Sequence, residues 1–247
     1  MRVHLLVLVA CLLATAGTAR ATEFQVQPTR IDLAGKQQVG SVTVTNRGNE
    51  PVRLEVSAMS WSEDENGKMT LVPTKDLIIF PTLLTIAAGA DREVRVATTV
   101  KRGGREVAYR IIVAELAPLA APGASGAGHV TMLTKMSIPV FLPPTKETVN
   151  GSVSAALAAD GLALDIRNSG SVHVRVTKLR VVGEGPSGVV FDQSLTGWYV
   201  LAGGRRHYAL PVTAADKAKL SRIRVEAVTD RATWTTAVEL PAASAAP

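Results

Sequence analysis

Apolar and polar residues alternate along most of this chain with a period of two, the spacing at which side chains share one face of a β-strand. Val42 and Val44, for example, alternate with serine and threonine. Turn-forming dipeptides such as Asn66-Gly67 separate the alternating runs. Up to residue 142 the pattern predicts about seven short strands with frequent turns, which is typical of an antiparallel β-sandwich.

Two adjacent prolines, Pro143 and Pro144, interrupt this pattern and form a stiff, extended joint. Beyond them the alternation restarts with Leu162, Leu164 and Ile166. The sequence therefore predicts an all-β protein with two domains. We place the N-terminal domain at 22–142, a linker at 143–145, the C-terminal domain at 146–241 and a tail at 242–247.

The first 21 residues have the three parts of a secretory signal peptide. Arg2 supplies the positive charge, an apolar run follows, and Ala19-Arg20-Ala21 has the small residues of a cleavage site. A transmembrane anchor is one alternative, but the run is shorter than the ~20 residues that a span needs. Leu8-Val9-Ala10-Cys11 also resembles a lipoprotein box, although it comes very early. We therefore predict that residues 1–21 direct export of the protein. We also predict that no later segment inserts into a membrane.

Composition argues against several classes of function. Cys11 is the single cysteine and the four histidines are far apart, so neither a disulfide framework nor a metal site is predicted. The sequence has no phosphate-binding loop, dinucleotide fingerprint or nucleophile motif, so we expect no cofactor and no enzymatic activity. The net charge of +6 comes without a basic run interleaved with aromatics, which argues against nucleic-acid binding.

Two cations, Arg30 and Lys135, lie within or beside predicted strands. Lys135 shares one face of its strand with Ser137. The opposite face is apolar and includes Val130, Met132 and Met136. A solvated charge that keeps an edge strand from aggregating is the simpler interpretation of either cation.

Two local features also draw attention. Residues 118–129 form a small, nearly chargeless stretch between two strong strands, which predicts either a functional loop or a tolerated insertion. Phe80-Pro81 is a tight passage between two apolar strands, where a cis peptide bond is plausible.

The order and spacing of several segments resemble the periplasmic chaperones of the chaperone–usher pilus pathway. The segments are Pro28-Thr29-Arg30, DLIIFPTLLTIAAG at 76–89, REVRV at 92–96, EVAYRIIVAEL at 106–116, LTKMSIPVF at 133–141 and GLALDIRNSG at 161–170. Together they extend over nearly the whole chain after residue 21. The resemblance implies two immunoglobulin-like β-sandwich domains, arranged as an L with an inter-domain cleft.

The resemblance also implies a mechanism and partners. Such chaperones bind pilin subunits that lack their last strand, and deliver them to an outer-membrane usher. The chaperone lends its own edge strand by β-augmentation, and apolar side chains fill the subunit's groove. Here those side chains are expected to be Val130, Met132 and Met136. Two cations in the cleft, which match Arg30 and Lys135, are expected to hold the subunit's C-terminal carboxylate, and the protein is expected in the periplasm.

The sequence departs from better-known members of this family along the lending strand. Ser137 stands where the second cation is expected, but Lys135 lies two residues earlier on the same face and can substitute for it. Pro139-Val140-Phe141-Leu142-Pro143 replaces the usual ending of an aromatic, arginine and proline, so the chain resembles a divergent Pro-Val-Phe branch. An inter-domain ion pair of Glu106 is therefore left open.

Two other classes of protein remain alternatives. A structural pilin or adhesin-type subunit is usually a single domain, so a second complete domain after Pro144 argues against it. A secreted binding β-sandwich or enzyme would use aromatic stacking or an acidic pair. Aromatic residues make up only 4% of the chain, and no catalytic acidic pair is evident.

Overall fold

The computed structural model describes residues 23–35, 38–117 and 132–240. The predicted signal peptide at 1–21, the glycine-rich stretch at 118–129, Val130 and the tail at 242–247 lie outside the described residues. Within the described part, the chain forms β-strands and one short helix. No helix in these ranges has the length and apolar character needed to cross a membrane.

The N-terminal domain is a sandwich of two sheets. Its strands are β1 (Phe24–Gln27), β2 (Ile31–Asp32), β3 (Val39–Asn46), β4 (Val52–Glu63), β5 (Met69–Pro73), β6 (Leu77–Phe80), β7 (Leu83–Ile86), β8 (Asp91–Thr98), β9 (Val107–Glu115) and β10 (Lys135–Leu142). The first sheet has the order β1-β3-β8-β6. The second has the order β2-β10-β9-β4-β5, and β7 also pairs with β4.

The chain changes sheets at Pro28. β1 pairs with β3 at the edge of the first sheet, whereas β2 pairs with β10 at the edge of the second. Proline has no backbone N–H for a ladder, so an edge position between two short strands suits it. The Gln27–Pro28 peptide bond is cis. The Phe80–Pro81 bond is also cis, in agreement with the sequence-based expectation.

The C-terminal domain is a second sandwich with its own core. Its elements are β11 (Gly151–Ala158), β12 (Gly161–Asn168), β13 (Val174–Gly185), β14 (Gly188–Leu195), β15 (Tyr199–Val200), β16 (Arg205–Pro211), the helix α1 (Ala214–Lys217), β17 (Arg222–Thr229) and β18 (Thr233–Glu239). One sheet has the order β11-β12-β16. The other has the order β14-β13-β17-β18, with β15 paired to β13.

Each sandwich encloses an aliphatic cluster, as the low aromatic content predicts. The alternating positions of the strands supply it, because one face of each strand is buried. In the N-terminal domain the fully buried members include Val42, Val44, Leu54, Val94 and Ile111. In the C-terminal domain they include Leu164, Ile166, Leu179, Val181 and Ile223. The predicted all-β architecture of two sandwiches is confirmed.

Candidate functional site

The second sheet of the N-terminal domain has one face on its own core and one face toward the C-terminal domain. Ile138, Val140 and Leu142 of β10 belong to the N-terminal core. Because side chains alternate along a strand, the residues between them point the other way. We name this other side the cleft face. On β10 and β9 it consists of Lys135, Ser137, Pro139, Phe141, Ala108, Arg110, Ile112 and Ala114.

Strand β10 has an open edge over its first half. On one side it pairs with β9 along its whole length. On the other side β2 pairs with it only at Val140 and Phe141. Among the described residues, no strand pairs with 135–139 on that second side. The backbone groups of this half-strand can therefore accept another strand.

The apolar residues predicted for strand donation lie in different surroundings. Met132 precedes β10 and is 73% exposed, whereas Met136 is half-buried and packs against the N-terminal core. Val130 lies outside the described residues. Of the two predicted donor side chains that the structure describes, Met132 is thus the exposed one.

The two predicted anchor cations flank the cleft face. Lys135 is exposed at the start of β10. Arg30 immediately precedes Ile31, the residue paired with Val140, so it lies level with Pro139. This separates the Arg30 and Lys135 backbones by about 13 Å along the strand direction. They lie on one side of the sheet but do not form a contacting pair.

Arg30 is already engaged by carboxylates of both domains. Its Nε donates to Oδ2 of Asp32 at 2.8 Å. Its Nη1 lies 3.8 Å from Oδ2 of Asp230, which belongs to the C-terminal domain. The Arg30 side chain is still 40% exposed. It can therefore exchange these weak, solvated partners for an arriving anion.

A third cation, Arg110, lies buried on the cleft face at the level of Arg30, on the opposite side of β10, and the sequence analysis did not single it out. It pairs with Pro139 across β9 and β10 and is only 4% exposed. Its Nη1 donates to Oγ of Ser137 at 3.2 Å, and its Cζ lies 3.9 Å above the ring of Trp61. Its Nε and Nη2 are buried without a hydrogen-bond partner. The sequence feature that could have identified Arg110 is its charge, which interrupts the otherwise apolar run 107–113.

Burial dominates the electrostatics around Arg110. It lowers the pKa of the Arg110 guanidinium, although Glu63 acts in the opposite direction. Burial likewise raises the pKa of Glu63, against the effect of Arg206 and Arg110. The ion pair that Glu63 forms is with Nη1 of Arg206 in the C-terminal domain, at 3.6 Å. Arg110 itself forms no ion pair within the described ranges.

Below these cations, an aromatic cluster joins the domains. Trp61 and Phe141 of the N-terminal domain pack with Tyr199 of the C-terminal domain, with ring centroids 5.5–5.7 Å apart. His173 of the C-terminal domain stacks on Phe141 at 3.7 Å. Each aromatic pair of this kind contributes about 0.5–1.5 kcal/mol beyond its buried area. The cluster forms the closed end of the cleft.

Glu106 forms a buried hydrogen bond between the domains. The Pro-Val-Phe ending of the lending strand had left open whether Glu106 makes an inter-domain contact. Its Oε1 lies 2.8 Å from Nδ1 of His173 and accepts a hydrogen bond from the His173 backbone N–H at 3.0 Å. The side chains of both residues are almost fully buried. Glu106 therefore does connect the domains, but its partner is a histidine that sequence reasoning did not identify.

The hairpin tip between β4 and β5 also reaches the C-terminal domain. The Glu65 carbonyl accepts a hydrogen bond from the His207 backbone at 2.7 Å. Gly67 has a φ of 76°, and a β-carbon there would collide with the guanidinium of Arg206. The sequence predicted only a turn at Asn66-Gly67. The tip instead positions Arg206 beside Glu63.

No group of three metal-ligating side chains occurs in the part of the chain that the structure describes.

Residues 23–147, half of the chain, match the family described as pili and flagellar-assembly chaperone, PapD N-terminal domain. No curated protein sequence matches the chain.

Several solved structures share the fold. One is the CsuC–CsuE chaperone–tip adhesion subunit pre-assembly complex from archaic chaperone–usher Csu pili of Acinetobacter baumannii, with 19% identity, a TM-score of 0.59, and coverage of 87% of this chain and 97% of that chain. Another is the Salmonella enterica SafA pilin in complex with the SafB chaperone, with 14% identity, a TM-score of 0.59, and coverage of 90% and 99%. The E. coli chaperone DraB has 17% identity, a TM-score of 0.58, and coverage of 90% and 98%.

Proposed function

Since this chain belongs to the family of pili and flagellar-assembly chaperones, we propose that it is a periplasmic, non-enzymatic chaperone that binds pilin subunits and delivers them to an outer-membrane usher. The observation that supports this most directly is the open half of β10 beside a cationic cleft face. An exposed strand edge promotes aggregation unless a partner strand covers it or a charged side chain blocks further pairing. Lys135 supplies the charge, and a pilin subunit would supply the partner.

Binding would proceed by β-augmentation at residues 135–139. A client strand that pairs there gains main-chain hydrogen bonds, and alternate side chains provide selectivity. Met132, which is 73% exposed, would insert into the client's apolar groove. Met136 would contribute less, because it packs against the chaperone's own core. Val130, which continues the same alternation in the sequence, is the third proposed donor residue.

The cations of the cleft would fix the end of the client strand. A terminal carboxylate carries a full charge, and a half-enclosed cleft strengthens its attraction to a cation. Arg30 offers two parallel N–H groups, and Lys135 offers a compact ammonium. Because the two lie about 13 Å apart along the sheet, the carboxylate would bind between them, with their long side chains converging on it.

The choice of partner is supported by the complexes that share this fold. One similar structure is a complex of a chaperone with a tip adhesion subunit, and another is a complex of a pilin with its chaperone. We therefore assign pilin or adhesin subunits as clients of this chain. A structural pilin role is less consistent with the second, complete sandwich after residue 150.

The proposed function can be tested by isolating the full chain from periplasm with its bound proteins. We expect an incomplete pilin-like subunit in one-to-one complex. Hydrogen exchange of that complex should show new protection at 135–138, where β10 has no second neighbour, and no change in β14. Recovery of the chain without a subunit, or protection confined to the C-terminal domain, would contradict the proposal.

A further inference from the structure

Two arginines of the C-terminal domain lie next to each other at one end of its three-stranded sheet. Arg167 of β12 and Arg205 of β16 are directly opposite each other on the exposed face of that sheet, so their β-carbons are about 4.5–5.5 Å apart. Like charges in this arrangement repel each other and destabilise a sheet. The pair therefore opposes folding rather than supporting it.

Arg105 of the N-terminal domain joins this pair across the domain junction. Its guanidinium lies against Gly203, where a β-carbon would come within 2.7 Å of Nη1. Gly203 has a φ of 75° and stands two residues before Arg205, which is no more than about 7 Å of chain. The next residue, Gly204, accepts a hydrogen bond from the Asn168 backbone N–H at 2.9 Å. This turn thus brings Arg105 beside both β16 and β12.

We name Arg105, Arg167 and Arg205 the arginine cluster, and few carboxylates neutralise it. Within the described ranges, Arg105 and Arg167 form no ion pair. Arg205 lies 3.6 Å from Glu65, whose side chain is 61% exposed, and such solvated pairs are weak. All three arginines are exposed, and none of them belongs to the cleft face. The arginine cluster therefore retains capacity to bind the anionic groups of a partner.

The sheet face beside the arginine cluster carries short side chains. Because side chains alternate along a strand, the strand registers place Ala156, Ala163 and Ala209 in one row of that face. Between this row and the arginine cluster, Asp165 is paired with His207 at 3.5 Å. A peptide backbone can approach the alanine row closely, because no long side chain protrudes from it. An extended segment can therefore lie there while its acidic side chains reach the arginines.

We propose that the arginine cluster binds an acidic segment of a partner protein other than the client. A compact group of guanidiniums matches a few neighbouring carboxylates, each of which can accept two parallel N–H groups. Docking to an anionic membrane needs a more extended basic surface. The other sheet of the C-terminal domain does not supply one, because its exposed arginines are paired with carboxylates, as in Arg180–Asp192 and Arg224–Glu184.

This role predicts an unusual combination of effects for Arg167→Ser. The substitution removes the repulsion between β12 and β16, and its other neighbour on the face is already a serine, Ser152. We therefore expect an unchanged or higher unfolding temperature together with a loss of binding. Arg180→Ser is the matched control, because it changes the net charge of the same domain equally but breaks the ion pair with Asp192.

The experiment measures binding of the full chain to a short synthetic peptide of glycine and serine that carries adjacent glutamates, and to its glutamine counterpart. For the unmodified protein we expect the glutamate peptide to bind at least about tenfold tighter, the combined effect of a few solvated charge pairs. Substituting any member of the arginine cluster by serine should reduce this preference to about threefold or less. Arg180→Ser should preserve it, and added salt should weaken it.

Each outcome decides the inference without deciding the proposed function, because the peptides contain no apolar strand that could pair with β10. Equal binding of the two peptides, or binding of neither, overturns the inference. A full preference in all three variants of the arginine cluster also overturns it, as does an equal loss in Arg180→Ser. If Arg167→Ser does not fold, Arg167→Gln takes its place.

Vesicles that contain phosphatidylglycerol test the membrane as the alternative partner. We expect the unmodified protein and Arg167→Ser to bind them equally weakly. Strong binding to these vesicles that is lost in Arg167→Ser, without a preference for the glutamate peptide, would identify a lipid surface as the partner and overturn the assignment of an acidic protein segment.

Discussion

At the scale of single residues, two asparagines hold equivalent corners of the two domains. Asn46 ends β3, and its side-chain amide donates to the carbonyls of Glu50 and Ile86. Asn168 ends β12, and its amide donates to the carbonyls of Val172, Val200 and Leu201. Each side-chain oxygen accepts from the glycine two residues later. The two sandwiches therefore use the same device to turn the chain.

Asn168→Ala should destabilise the C-terminal domain strongly. It removes the side-chain donor of the buried carbonyls of Val172 and Val200, and an unsatisfied buried group costs about 1–3 kcal/mol. We expect the free energy of unfolding to fall by about 3 kcal/mol in denaturant titrations. Asn66→Ala, which truncates an exposed side chain, is the control and should change it by less than about 0.5 kcal/mol. Equal effects of the two substitutions would contradict this account.

Arg30→Ala and Lys135→Ala should each lower client binding while leaving the chain folded. Both side chains are substantially exposed, so their loss removes little packing. Truncating one member of a desolvated charge pair costs about 2–5 kcal/mol, which exceeds a tenfold loss of affinity. Affinity for an isolated client subunit measures the effect. Arg95→Ala, which removes an exposed arginine of the first sheet, should leave that affinity unchanged.

At the scale of secondary-structure elements, β10 has two different halves. Its second half lies between β9 and β2 and supplies Val140 and Leu142 to the core. Its first half has a neighbour on one side only within the described residues. The buried half therefore anchors the strand rigidly, while the open half remains available for pairing. A preformed edge lowers the entropy that client binding must overcome.

Met132→Asp should abolish client capture without unfolding the protein. A carboxylate forced into an apolar groove without a partner costs several kcal/mol. Because Met132 is 73% exposed in the free protein, the folded state should tolerate the charge. The measurement is the yield of complex on co-expression with a client. Val189→Asp, at another exposed apolar residue in the C-terminal domain, is the control and should not reduce that yield. Normal capture by Met132→Asp would remove Met132 from the donor face.

At the scale of the whole molecule, buried contacts fix one domain against the other. Phe141 stacks on His173, Glu106 bonds to His173, and Glu63 pairs with Arg206. These contacts include the stacking of aromatic rings as well as a hydrogen bond and an ion pair between largely buried side chains. These contacts hold the two domains in one arrangement, and in the proposed function that arrangement would set the width of the binding cleft.

Glu63→Gln should change the pH dependence of stability in a defined direction. Burial raises the folded-state pKa of Glu63 above its ordinary value of 4.5. Between those two pKa values the folded chain binds more protons than the unfolded chain, so this residue's contribution to stability falls as pH rises. Relative to Glu63→Gln, the natural protein should therefore lose stability from about pH 4 to pH 7. Denaturant titrations at both pH values measure this, and a relative gain would contradict it.

Much of the architecture followed from the sequence because the period of a strand is local. Val42 and Val44 could be assigned to a buried face from their neighbours alone, and the prolines at 143 and 144 marked the end of one strand set. Phe80-Pro81 signalled its cis bond, and the family resemblance held because its segments occur in the expected order. Alternation placed Lys135 on one face with Ser137, whereas Arg30 was matched only through the family resemblance, and the anchoring role of both stays a prediction.

Tertiary structure alone decided which side chains meet across strands and domains. The register that brings Arg110 beneath Ser137 depends on how β9 pairs with β10, and nothing within either strand specifies it. His173 lies 67 residues from Glu106, yet the two share a buried bond. Met136 has the alternation of a donor residue, but the enclosing sandwich covers it. Periodicity determines the face on which a residue lies, whereas long-range packing determines what covers that face, and therefore which charge remains available to bind.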